Sequence, residues 1–588
     1  MSMARLDPHS YHDSAQPQVA HLAWKAKVDF GARRLDCEAR LTFRSPGSGL
    51  LDLDTRDLEI LQVIDPSGQP IAHRLHSGEP ILGRRLSLEL PPQTPGVRIA
   101  YRTSPEASAL QWLDPAQTAG GRQPFLFSQC QAIHARSVVP LQDTPRVRLC
   151  FSAELTVPRG LRALMAAGFV KRVEEAQGAV EVFEMPQPIP PYLFALAVGE
   201  LESRELGPRS RVWAEPSVVE RAAFEFAGVD GMLRTAEALF GPYAWDRFDL
   251  LTMPPSFPYG GMENPRLAFL TPTLLAGDRS LVNVVAHELA HSWTGNLVTN
   301  ADAEHFWLNE GWTVFAERRI LEALEGGEVA ALHQALGRRQ LEKAVERFRD
   351  RPELTRLRTC LSGVDPDDAY SEVPYEKGYL FLRALEEAVG RAAFDRFLRR
   401  YVEAFAFQSI TTEEFTAFAE AELAGALARV GAARWLSSAG IPENAPSPAS
   451  SRLEALEGLG AALPSAALAA SWTPTEWSLY LESLPRPQPA RVCEELDRRF
   501  DLTNRGNNEV LVAWLALAAE SGFAPALPKI EQVLGKVGRM KYLKPLYSAL
   551  AAAESTRSLA RRCFERCKAG YHPIGRAAVE SILKRAGA

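Results

Sequence analysis

The sequence predicts a multidomain α+β protein, with an N-terminal antiparallel β domain, a mixed middle domain and a C-terminal α-helical, solenoid-like domain. Three observations predict it. Apolar residues alternate at period two through the first third. The pattern then becomes mixed, with long helical stretches. Finally a Pro/Ser-rich linker gives way to Ala- and Leu-rich amphipathic segments. At 588 residues the chain is also too long for a single hydrophobic core.

In the first region, residues 1–201, Leu22, Trp24, Ala26, Val28 and Phe30 recur at every second position, followed by Leu35, Cys37, Ala39, Leu41 and Phe43. Leu86, Leu88 and Leu90, then Val97, Ile99 and Tyr101, repeat the pattern. Such alternation turns one face of each strand to a core and the other to water. Pro46-Gly47-Ser48 and Asp65-Pro66-Ser67-Gly68 supply turns between strands. The apolar run Tyr192 to Val198 reads as a buried strand. The middle region spans 202–441 and includes a Pro/Gly-rich segment from Pro254 to Gly261. Residues 442–452, with three prolines and little apolar mass, form the linker. In 453–588, helices are expected at Val510–Ala519, Ile530–Val537, Leu543–Ala553 and Ser558–Cys567, stacked in pairs without a clean repeat.

Composition excludes several classes. The hydrophobic fraction of 46% and charged fraction of 23% are those of a globular protein, not of a disordered or fibrous one. A net charge of -6 argues against nucleic acid or anionic membrane as a general partner. The N-terminus lacks the apolar stretch of a secretory signal, and no run approaches the ~18 apolar residues of a spanning helix. Seven cysteines are scattered without a CxxC unit, and Cys563 and Cys567 read as a reduced pair. A cytoplasmic, monomeric protein is expected.

The chemistry concentrates in His287-Glu288-Leu289-Ala290-His291. On a helix the two histidines stand one turn apart on one face, so two imidazoles can converge on one ion. Val282, Val285, Ala286, Leu289 and Trp293 form an apolar stripe beside them, and the helix is expected to stop at Gly295-Asn296. A catalytic zinc needs a third protein ligand and an open position. Eighteen residues separate His291 from Glu310, which lies in Trp307-Leu308-Asn309-Glu310-Gly311 on a second helix starting near His305. Two antiparallel helices would return Glu310 to the histidines. One Zn2+ per chain is therefore expected on His287, His291 and Glu310, with Glu288 as the base that takes a proton from water.

Tyr259-Gly260-Gly261-Met262-Glu263-Asn264 ends 23 residues before His287. This Gly-rich strand followed by Glu, together with HExxH and the distant Glu, resembles the M1 metallo-aminopeptidases, the thermolysin-like gluzincins. The resemblance implies a thermolysin-like middle domain in which Glu263 binds the free α-ammonium of a peptide. A carboxylate suits an ammonium and not an internal amide. Gly260 and Gly261 would let substrate backbone approach the strand edge.

Gln129-Cys130-Gln131-Ala132, Pro374-Tyr375-Glu376-Lys377-Gly378 and Gly538-Arg539-Met540-Lys541 resemble the leukotriene A4 hydrolase and bacterial aminopeptidase subgroup, over essentially the whole chain. Aminopeptidase B is a close cousin of that subgroup. The resemblance implies that Tyr375 donates to the tetrahedral oxyanion and that Gln131, with Ala132 beside it, helps Glu263 hold the amino end. It further implies that Tyr259 and Met262 flank the peptide, and that Arg539 and Lys541 bind the C-terminal carboxylate of a short peptide, tripeptides above all. Asp367 matches a position that favours basic N-terminal residues. Asp367 and Tyr370 also match residues used by the vertebrate relative to open a lipid epoxide. Where that relative has an apolar wall, this sequence carries Ala303, Arg358 and Thr359, so epoxide hydrolysis is expected to be minor. The rival reading is a non-catalytic peptide-binding or scaffold relative.

Overall fold

In the computed structural model residues 6–281 and 283–587 are described; the N-terminal pentapeptide and Val282 of the predicted stripe lie outside them. The alternation of the first third produces an eight-stranded sheet. Its order is Gly168–Glu175, Gly178–Ile189, Leu149–Pro158, Val19–Asp29, Arg34–Thr55, Gly83–Arg102 and Glu59–Ile64, with His73–Glu79 also pairing Gly83–Arg102. Trp24 lies opposite Ala39 and Ala26 opposite Cys37, all buried on one face. One pairing departs from the antiparallel expectation: Val19–Asp29 runs parallel to Leu149–Pro158. Alternation reports which face is buried but carries no information on strand direction.

A four-stranded sheet of Leu110–Leu113, Phe125–Ser128, Leu196–Gly199 and Arg162–Met165 completes this region. The run expected as a strand from Tyr192 is instead a 3-10 turn at Pro191–Leu193, and the strand begins only at Leu196. The prolines at 190 and 191 explain the delay, since a proline fixes φ and supplies no N–H to a ladder.

The middle region opens on a five-stranded sheet ordered Glu202–Gly207, Ser210–Ala214, Asp249–Thr252, Leu267–Leu270 and Gly261–Met262. Gly261–Met262 is therefore an edge strand, held only by antiparallel pairing to Leu267–Leu270. Helices Asn283–Ala290 and Trp307–Glu325 follow. The first ends five residues before the expected Gly295 stop, although the His291 N–H still donates to the His287 carbonyl at 3.2 Å. Gly295 takes φ +119°, and a Cβ there would stand 2.7 Å from His291 Nδ1, so the turn that reverses the chain needs glycine. The second helix starts at Trp307 after a 3-10 turn at Ala303–His305. Behind it Trp312 stacks on Tyr401, with ring centroids 4.8 Å apart, in a cluster with Phe394, Phe397 and Phe415. Such pairs add about 1 kcal/mol each beyond their buried area, which keeps this helix from shifting under the site.

One continuous hydrophobic core runs from Val19 to Leu436 through both regions. A second core fills the C-terminal helices and takes in Leu332 and Ala335 of helix Gly327–Arg347. Between the two, Ile441–Ser450 carries no helix or strand, and Ser450 caps helix Ser451–Leu459. Helices Asn508–Glu520, Leu527–Leu534, Met540–Ala552 and Glu554–Cys567 occupy the predicted segments within a few residues at each end. All seven cysteines are free thiols.

Candidate active site

Helix Asn283–Ala290 buries Val285, Ala286, Leu289 and Ala290 and leaves His287 on the cavity side. His287 Nε2 and His291 Nε2 lie 3.2 Å apart, and each is 3.4 Å from Glu310 Oε2. Glu310 sits in the first turn of Trp307–Glu325, and its Oε2 is buried with no protein donor. Tetrahedral zinc with bonds near ~2.1 Å spaces its ligands about 3.3 Å apart, so these three edges are those of a zinc polyhedron.

The remaining ring nitrogens are held from behind. His287 Nδ1 is 3.1 Å from Glu317 Oε2, and His291 Nδ1 is 3.2 Å from both the Thr294 carbonyl and Thr313 Oγ1. With Nδ1–H donating backwards, each Nε2 lone pair faces forward, which fixes both tautomer and ring angle. The local charge agrees with a cation. Glu263, Glu288 and Glu310 are all buried, and burial together with their mutual repulsion pushes the carboxyls of Glu263 and Glu288 above the usual range. A divalent ion and a substrate ammonium would both relieve that repulsion.

Glu288 occupies the space in front of Gly261, where any Cβ would collide with its carboxylate. A Cβ at Gly260 would stand 2.9 Å from Arg539 Nη2. The glycine pair thus admits two side chains of this protein against the edge strand, a reason that adds to the expected approach of substrate. Glu263 Oε1 accepts from Gln131 Nε2 at 3.0 Å, and its backbone carbonyl accepts from Asn296 Nδ2 at 2.7 Å. Atoms of Glu263, Glu288 and His291 fall within 4.8 Å of one another. Ala132 and Tyr259 line the cavity beside them, and Met262 receives Gln129 Nε2 on its Sδ at 3.0 Å.

Tyr375 stands in a π-helical turn, Val373–Lys377, with its ring stacked at 18° on His287 and its hydroxyl 3.0 Å from that of Tyr370. Such turns recur at functional sites because they redirect a side chain without ending the helix. Arg539 is set by backbone bonds on either side, Gly538 N–H to the Pro255 carbonyl and Met540 N–H to the Pro258 carbonyl, both 2.9 Å. Its Nη1 donates to Tyr542 at 2.9 Å and to Glu509 and Thr273 at 3.2 Å. Lys541 Nζ reaches the other Glu509 oxygen at 2.8 Å. Burial alone raises the Glu509 carboxyl, but Lys541 and Arg539 overrule it and hold it at about 2.

Asp367 lies at the cavity, half exposed, with Oδ2 3.0 Å from His134 Nε2. Ala303 and Thr359 line the cavity as well, whereas Arg358 is turned to Glu304 at 2.7 Å and Glu413 at 3.1 Å and forms no part of the wall. The residues that sequence reasoning missed are Glu317, Thr294, Thr313, Glu509 and His134. None carries a local signal, except that Glu317 is two helical turns from Glu310 on the same face. The whole cavity measures about 690 Å³ and is walled by all three regions, from Gln131 through the helix pair to Lys544.

Comparison with known proteins identifies the family. Residues 224–435 match the peptidase family M1 domain, 89–193 the peptidase M1 N-terminal domain and 472–583 the leukotriene A4 hydrolase C-terminal domain. The chain is 39% identical to leukotriene A-4 hydrolase of Xenopus laevis over 97% of each sequence. The chain belongs to peptidase family M1. Within that family it is 38% identical to leucine aminopeptidase 2 of Yarrowia lipolytica, over 92% of this chain and 87% of the relative. Its fold matches yeast LTA4 hydrolase in complex with bestatin at a TM-score of 0.91, with 32% identity over 99% of this chain and 98% of that one. An M1 peptidase with this subgroup's helical C-terminal domain is a peptide hydrolase, and aminopeptidase activity is the family's. Zinc is the family's metal, and the His287–His291–Glu310 cluster is its candidate site.

Proposed function

We propose that this M1 enzyme removes single residues from the free amino ends of short peptides. The observation that carries the proposal is the position of Glu263, buried beside the His–His–Glu cluster and steadied by Gln131. A peptide whose α-ammonium pairs with Glu263 brings its first peptide bond, and no later one, in front of Glu288. Zinc, when bound by His287, His291 and Glu310, would supply Lewis acidity that acidifies water and polarises the scissile carbonyl.

The chain's own groups do the rest. Glu288 takes a proton from the attacking water on its carboxylate and delivers it to the departing amine nitrogen. The Tyr375 hydroxyl donates to the oxyanion as the carbonyl carbon becomes tetrahedral, an interaction of ~3 kcal/mol in comparable sites. The Tyr370 hydroxyl, 3.0 Å away, orients that donor. Arg539 and Lys541, aligned by Glu509, receive the C-terminal carboxylate, and Arg offers the bidentate contact. A cavity of about 690 Å³ whose wall includes the cation pair Arg539 and Lys541 fits short peptides, tripeptides above all. Asp367 at the wall fits a preference for basic first residues. Free thiols throughout fit a reducing compartment such as the cytoplasm. With Ala303 and Thr359 in the wall, epoxide opening on a leukotriene A4-like lipid is a minor activity.

The test is chromophore release from alanyl amides and tripeptides, with chelator, with zinc restored, and with Glu288→Gln. Turnover that is abolished by chelator, regained with zinc and absent in a zinc-loaded Glu288→Gln supports the reading. Substantial turnover by that variant would remove Glu288 as the base.

A further inference from the structure

The wall that carries Arg539 and Lys541 continues outward. The Arg539 side chain, just before helix Met540–Ala552, is 5% exposed and that of Lys541 is 45% exposed. Lys544 lies one turn further along the same helix face. It is exposed and lines the cavity together with Arg347 and Glu372, also exposed, so these three stand at the opening. Arg347, the last residue of helix Gly327–Arg347, is fixed there by its Nη2, which donates to the Tyr370 carbonyl at 2.9 Å. Its guanidinium is therefore tied to the same residue whose hydroxyl meets Tyr375. The sequence has a matching asymmetry: residues 527–588 hold 13 Lys and Arg against 4 Asp and Glu, in a chain of net charge -6.

Formal charges on this stretch of wall do not balance. Four cations, Arg539, Lys541, Lys544 and Arg347, face two carboxylates, Glu509 and Glu372. Glu509 is engaged by Arg539 at 3.2 Å and Lys541 at 2.8 Å. Among the described residues Lys544 makes no hydrogen bond or close ion pair, and the carboxylate that acts on it and on Arg347 is Glu372. Deeper in the same wall Arg318 and Glu376 neutralise each other at 2.7 Å, and Glu317 is committed to His287. Two positive charges remain, whereas the α-carboxylate of a peptide supplies one negative charge. Burial, with repulsion from Arg347, holds the Lys544 ammonium below its ordinary range in spite of Glu372. Burial, with repulsion from Arg585, does the same to Arg347. An added anion relieves both.

Side chains three apart on a helix stand about 5–6 Å apart at their Cβ atoms. The two carboxylates of a C-terminal aspartate or glutamate are three or four bonds apart, ~4–5 Å. One such residue can therefore meet Lys541 with its α-carboxylate and Lys544 with its side chain. We propose that Lys544 and Arg347 receive a second carboxylate, the acidic side chain of the substrate's last residue, and so set a preference for short peptides ending in aspartate or glutamate. This rests on the aminopeptidase reading and specifies its substrate class at the C-terminal end.

The test compares kcat/KM of the zinc-loaded enzyme on Ala-Gly-Asp and Ala-Gly-Asn, which share shape and α-carboxylate and differ in one charge. At low salt the wild type favours Ala-Gly-Asp by about fivefold or more, chiefly through KM. The ratio shrinks toward one as ionic strength rises from about 20 mM to about 0.5 M. Lys544→Gln brings it to about one at low salt, Lys544→Arg retains it and Lys544→Glu inverts it. Equal wild-type rates on the two peptides at low salt overturn the proposal, as does a ratio that survives Lys544→Gln. It is equally overturned if Lys544→Gln spares that ratio and instead slows Ala-Gly-Gly-Gly, for Lys544 would then hold the α-carboxylate of a longer chain. Absence of turnover on Ala-Gly-Asn and on alanyl amides alike would instead refute the aminopeptidase reading itself.

Discussion

The carboxylate of Glu288 fills the place where a side chain on Gly261 would begin. The proposed base and the edge strand proposed to bind substrate are thus built against each other, and a single methyl group should separate them. Gly261 needs no positive φ, so Gly261→Ala can fold while driving Glu288 aside. The expected result is a loss of about 100-fold in kcat/KM with zinc content and melting temperature near wild type. Activity within twofold of wild type would show that Glu288 has room the structure does not give it.

His287 is oriented by Glu317, two turns beyond Glu310 on the same helix. Glu317→Gln keeps the shape and removes the charge that strengthens the ligand. Zinc affinity, measured by competition with a chelator, should fall about 10- to 100-fold, while kcat at saturating zinc changes far less. Unaltered affinity would reduce Glu317 to a packing residue.

Glu263→Ala removes the proposed ammonium partner. Turnover of free-amine substrates is expected to drop about 100-fold, and the N-acetylated forms, which carry no charge for Glu263 to bind, to stay at background in both proteins. Unchanged kinetics on free-amine peptides would take Glu263 out of the mechanism.

Much of this site was legible because its members sit in short, tightly spaced motifs. His287, Glu288 and His291 share one helical turn, and Glu310 and Glu263 lie close enough in sequence for motif spacing to find them. What was not legible depends on where distant segments meet. Glu509 and Arg539 come together only because helices Asn508–Glu520 and Met540–Ala552 pack side by side, and Asp7 reaches the cavity from the opposite end of the chain. The parallel pairing of Val19–Asp29 with Leu149–Pro158 was hidden for the same reason. The early end of the histidine helix was masked by an apolar pattern that continues to Trp293 although the backbone has already turned.

Glu509 gives a pH signature for the cation pair. Its folded carboxyl is held at about 2, below its ordinary value, by Lys541 and Arg539. Sign follows from linkage: a depressed carboxyl adds stability that is fully present above the unfolded value and lost as pH falls toward the folded one. The difference in melting temperature between wild type and Glu509→Gln should therefore be constant from pH 8 to about 5 and shrink below about 4.5. A difference that grows on acidification would contradict the assignment.

The proposed chemistry depends most on the metal centre, and anomalous scattering from a crystal of the purified protein, collected on both sides of the zinc absorption edge, examines that centre directly. One strong peak should appear above the edge, about 2 Å from His287 Nε2, His291 Nε2 and Glu310 Oε2, and vanish below it. Those three atoms drawn apart, with no peak among them in an active preparation, would contradict the account at its base.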